Sequence, residues 1–107
     1  MAVSLIKNPN ALAKQNTGSD TPFKWYKFGR VVFCCFNANS ISTTTVSGSE
    51  KLCDIPSGFE PIASAESLDG LHSGRRIQFN ATTGIVESSE VFSSQNIRGS
   101  ICYISAN

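Results

Sequence analysis

The feature that most constrains this chain is a pair of apolar runs set back to back around Gly29. Phe23-Lys24-Trp25-Tyr26-Lys27-Phe28 precedes the glycine, and Arg30-Val31-Val32-Phe33-Cys34-Cys35-Phe36-Asn37 follows it. Aromatic and β-branched side chains fit a pleated, half-buried surface, so both runs read as strands. Gly29 then marks a bend, bulge or tight turn between them. Side chains alternate along a strand, so Phe23 and Trp25 share one face, as do Val31, Phe33 and Cys35. The second run is apolar at both parities, which predicts a strand covered on both sides.

The remainder of the chain repeats this pattern in shorter pieces. Ile41 to Val46 is a β-branched strand of low hydrophobicity, suited to an edge, and Ser47 to Glu50 turns the chain. Lys51 to Ile55 is short and ends in the turn signature Pro56-Ser57-Gly58. Arg75 to Asn80 and Gly84 to Ser88 flank a turn and read as a hairpin. Ile97 to Ser105 supplies a final strand. No helix longer than two turns is convincing, so the fold class is all-β: a compact antiparallel barrel or a jelly-roll-like sandwich of short strands. Residues 1–22 read as an N-terminal arm or first strand packing on a neighbouring subunit, and residues 23–107 as the head domain.

Composition narrows the function. Sixteen Ser, seven Thr and eight Asn stand against seventeen charged residues, so the polar surface is built from hydroxyls and amides. A net charge of +1 argues against a nucleic-acid binder that neutralises phosphates. No apolar stretch is long enough for a membrane span, and the first residues lack the apolar run of a signal peptide. At 107 residues, oligomerisation would help a thin core. Cys34, Cys35, Cys53 and Cys102 lack CxxC spacing and the only histidine is His72, so they read as buried free thiols, with no metal and no cofactor.

The order of elements resembles the C-terminal head of phage tail-fibre and baseplate receptor-binding proteins. The family pattern Y-K-x-G-x-V-V is met at Tyr26 to Val32, and L-x-x-I-P-x-G-F-x-P at Leu52 to Pro61. A hairpin with a Gly turn, Ile77 to Val86, and a last strand carrying Tyr103 complete it, from about Phe23 to Ser105. The resemblance implies a homotrimer at the phage tail tip, assembled in the bacterial cytoplasm with other tail and baseplate proteins. It also implies binding to a saccharide on the host surface, without catalysis. The family's shaft or neck repeats do not precede Phe23, and no saccharide motif is shared across it, so no binding residue carries over.

Candidate binding residues come from the chain itself. Trp25, the single tryptophan, is either a core or interface residue or a ring stacking on a pyranose. Glu66, Asp69, His72, Arg75 and Arg76 lie within eleven residues and hold much of the charge. Carboxylates and guanidiniums make bidentate hydrogen bonds to hydroxyls, and loops on rigid sheets are where such groups sit. The competing reading is a solvated loop. Ser67, Asp69 and His72 nominally offer a hydrolase triad, but no G-x-S-x-G elbow is present and the chain is read as no enzyme. The alternative function is a structural tail component or trimeric interaction module with no ligand of its own.

Overall fold

A computed structural model of the chain describes residues 22–71 and 74–107. The arm expected over residues 1–22 therefore lies outside the described residues, apart from Pro22. Among the described residues there are eight strands and no helix. They are β1 (Phe23–Phe28), β2 (Val31–Ile41), β3 (Thr44–Val46), β4 (Ser49–Asp54), β5 (Ala65–Leu68), β6 (Arg76–Phe79), β7 (Ile85–Ser88) and β8 (Gln95–Ile104). They form a three-stranded sheet of order β1-β2-β8 and a five-stranded sheet of order β3-β4-β7-β6-β5, every pairing antiparallel. Neither sheet closes on itself. Of the two expected architectures the sandwich is formed and the closed barrel is not.

Turn chemistry explains the hairpins. Gly29 and Arg30 alone separate β1 from β2, with Phe28 paired to Val31 across the turn. Ser47 and Gly48 both take positive φ, 49° and 83°, between β3 and β4. Two successive left-handed residues match the right-handed twist of the flanking strands, which is why a Ser-Gly pair serves here. The expected hairpin at Ile77 to Val86 is present as β6 and β7. Its loop is tied by the Asn80 side-chain oxygen, which accepts the Thr82 and Thr83 N–H groups at 2.8 and 3.0 Å.

The expected strand over Ile41 to Val46 is split. Ile41 pairs with Gln95 in the smaller sheet, whereas Thr44 to Val46 form the edge of the larger one. Ser40, with a φ of 62°, lies in the register shift between Ala38 and Ile41, and the chain crosses to the other layer after Ile41. Along one side the layers are stitched by backbone: Gly70 N–H donates to the Arg98 carbonyl at 2.7 Å. The Ser67 hydroxyl donates to the Ser100 carbonyl at 3.1 Å.

The core lies between the sheets. Phe23, Trp25, Val32, Cys34, Phe36, Ile97 and Tyr103 face inward from the smaller sheet onto Ile77, Phe79 and Val86 of the larger. Phe79 is the hub, with its ring centroid 5.5 Å from Trp25, 5.8 Å from Tyr103, and 6.4 Å from both Phe23 and Phe36. Tilted and edge-on aromatic contacts of this kind add to the area term. The Tyr103 hydroxyl donates to the Phe59 carbonyl at 2.6 Å, fixing the Pro56–Pro61 turn segment under the sandwich. Burial, then the neighbouring Cys34, Glu60 and Cys53, hold that phenol well above its ordinary range.

Two expectations are corrected here. The second apolar run is covered on one side only: Val32, Cys34 and Phe36 are buried, but Val31 is 39% and Phe33 40% exposed. The larger sheet covers one face of β2, and no described residue covers the other. The cysteines are all free, but Cys34 alone is fully buried, and Cys102 is exposed. Odd and even positions of β8 point opposite ways, which sends Tyr103 inward and Cys102 outward.

Candidate functional site

Strand pairing builds a polar row on the outward face of the larger sheet. Glu66 on β5 pairs with Gln78 on β6, which pairs with Glu87 on β7, which pairs with Lys51 on β4. Directly opposed side chains in such a ladder lie about 5 Å apart. In the next row Arg76 pairs with exposed Leu68, and the Arg76 N–H donates to the Ser89 hydroxyl at 3.1 Å. Glu66, Arg76, Gln78, Glu87, Ser88 and Ser89 line one shallow depression of about 150 Å³.

The polar groups there are loosely committed. Glu66 and Arg76 approach to 3.8 Å, both more than half exposed, an arrangement worth little in solvent. One Glu87 oxygen accepts from the Asn80 amide at 3.1 Å, while its other oxygen is buried with no hydrogen-bond partner among the described residues. Together the depression offers carboxylate acceptors, an amide that donates and accepts, a guanidinium fork and hydroxyls. Exposed Leu68 lies beside Arg76 on the neighbouring strand.

The charged loop separates into two roles. Glu66 and Arg76 reach the depression; Asp69 and Arg75 turn inward and are 5% and 7% exposed. The Asp69 carboxylate accepts the Leu71 N–H at 2.9 Å and the Arg98 N–H at 3.4 Å, clasping the loop to β8. The Arg75 guanidinium lies 4.3 Å from the Phe92 ring centroid, its Nε donating to Glu90 at 3.1 Å. Its Nη1 stands 3.7 Å from Asp69, a charge contact beyond hydrogen-bond distance. The adjacent arginines therefore face opposite ways, as strand alternation requires. Asp69 and Arg75 hold the loop's shape and are turned away from any ligand on the outer face.

Trp25 exposes none of its surface, so the stacking role is closed to it here and its place is the aromatic core. Its ring packs against Phe23, Phe59 and Phe79, and its indole N–H makes no hydrogen bond among the described residues. His72 lies outside the described residues. The Ser67 hydroxyl donates to the Leu68 and Ser100 carbonyls. No group of His, Cys, Asp and Glu among the described residues is arranged to hold a metal ion.

Gln78, Glu87, Ser88 and Ser89 are the members of this site that sequence reasoning passes over. Their signal was present: in Arg76-Ile77-Gln78-Phe79 and Val86-Glu87-Ser88-Ser89 the polar parity marks a solvent face. Which strands lie side by side is a tertiary fact, and only that assembles the row. No family model, curated protein or solved structure matches this chain.

Proposed function

We propose that this chain is a phage tail adsorption module that binds a saccharide of the bacterial surface, without catalysis, through the outward face of β5, β6 and β7. The observation that carries the reading is the side-by-side row Glu66, Gln78 and Glu87 opening into a depression with Arg76 and Ser89. Adjacent acceptors and donors about 5 Å apart let each side chain meet a different hydroxyl of one sugar ring. The resemblance read from the sequence over Phe23 to Ser105 implies the same role. Glu66 and Glu87 flank Gln78, so their backbones are two strand spacings apart, about 10 Å. Nothing draws the two carboxylates to the 5–5.5 Å of a retaining glycosidase. A glycan array is the test: one class of saccharide retained saturably supports the reading, and an array without saturable ligands overturns it.

Assembly as a homotrimer belongs to the same proposal, since three weak sites on one particle gain affinity by avidity. Light scattering should give a mass near three times 11.5 kDa. A monomer at micromolar concentration contradicts it.

A further inference from the structure

The two layers of the sandwich differ in charge. β1, β2 and β8 with the turn at Gly29 hold Lys24, Lys27, Arg30 and Arg98 and no carboxylate. Between Thr44 and Ser94 the described residues hold seven carboxylates against Lys51, Arg75 and Arg76. The net charge of +1 thus hides a division, and the layer that carries the depression is the acidic one. A field of this sign raises the concentration of cations over that layer.

The depression repeats that bias at close range. Glu66 and Glu87 flank Gln78, each one strand spacing away, about 5 Å. Of the side chains lining it, Arg76 is the single cation, and it stands 3.8 Å from Glu66. Lys51 lies opposite Glu87 across β4 and β7, yet its ammonium turns to Asp54 at 2.9 Å. No cation among the described residues therefore pairs with Glu87, whose second oxygen holds no hydrogen bond. A positive charge brought over the row offsets both carboxylates at once. We infer, resting on the saccharide reading and sharpening it, that the ligand is an amino saccharide whose unacetylated, protonated amine sits over Gln78. An ammonium has three donors and no acceptor, and Glu66, the Gln78 carbonyl and Glu87 are three acceptors in line. Charge-assisted hydrogen bonds of this kind are the stronger ones. Acetylation removes the charge, and a phosphate or carboxylate on the glycan would bring a like charge to an acidic face, which selects against it.

The experiment titrates the full chain with matched oligomers of glucosamine, galactosamine and mannosamine. Each is used with free amines, N-acetylated, and as the neutral parent sugar. Within the series that binds, the free-amine form should be preferred at least about fivefold, the factor two partly exposed ion pairs supply. That preference should shrink toward one in about 0.5 M salt. Equal binding by the three forms leaves the saccharide reading standing and overturns the inference alone. No saturable binding in any series overturns both. A lysine tetrapeptide that binds as tightly as the free-amine oligomer also overturns the inference, because the face then reads charge without sugar. Glu66→Gln/Glu87→Gln keeps the shape of the row and should abolish the preference while leaving the neutral oligomer's affinity unchanged. A preference that survives in this variant overturns the inference. If the double variant melts early, Glu66→Gln alone, at a half-exposed position, should lower the preference at least about twofold, and no change there overturns it equally.

Discussion

Gly99 on β8 lies under the ring of Phe36 on the adjacent β2, so close that a Cβ at position 99 would stand 2.6 Å from the Phe36 Cζ and 2.8 Å from its Cε2. Phe36 is 1% exposed and packs on Phe23 at 5.1 Å between ring centroids, so its ring has nowhere to retreat. Gly99→Ala should therefore destabilise the fold by about 1–3 kcal/mol, as overpacking of a filled core does. Urea unfolding should show a lower midpoint at unchanged slope. A neutral substitution would place the Phe36 ring elsewhere.

Arg75 combines a stacking contact on Phe92, an ion pair with Glu90 and the charge of buried Asp69. Arg75→Ala removes the stack on Phe92, the pair with Glu90 and a cation beside the buried Asp69 carboxylate, and should cost about 3 kcal/mol. Arg75→Lys should recover less than half of this loss, because an ammonium lacks both the planar stack and the fork. Full rescue by lysine in a denaturant titration would reduce the role of Arg75 to charge alone.

Tyr103 and Cys34 are both held protonated in the folded chain. For Cys34, burial and then the neighbouring Cys53 and Cys35 push the thiol well above its ordinary range. Each raised group binds its proton more firmly folded than unfolded. The stability it lends is complete below the unfolded values, near 9.0 for the thiol and 10.0 for the phenol, and is lost as pH rises beyond them. Stability should fall from about pH 9 upward by as much as about 1.4 kcal/mol per pH unit for each group. Thermal melts from pH 7 to 11 check this, and Cys34→Ala/Tyr103→Phe should flatten the decline. A melting temperature independent of pH across that range would contradict it.

The all-β class and the hairpins were legible because Gly29, Ser47-Gly48 and the aromatic runs act locally, through backbone freedom and strand alternation. The polar row was legible only in halves. Alternation marks Gln78 and Glu87 as outward, yet nothing local says that β6 lies between β5 and β7. Arg75 and Arg76 show the opposite limit. Their opposed directions follow from alternation, but whether an inward arginine meets a ligand or Phe92 depends on a residue seventeen positions away. Cys34 and Cys102 teach the same point, since equal composition hides one fully buried thiol and one exposed.

The Glu66, Gln78 and Glu87 row carries the functional reading, so the most direct measurement is a calorimetric titration of the best glycan from an array into the intact chain and into Glu66→Ala/Gln78→Ala. Both substituted residues are on the outer face, and the variant should melt within a few degrees of the parent. Saturable binding by the parent, weakened at least about tenfold in the variant, is the predicted result. Equal affinity in the two proteins would contradict the account and move the saccharide off this face.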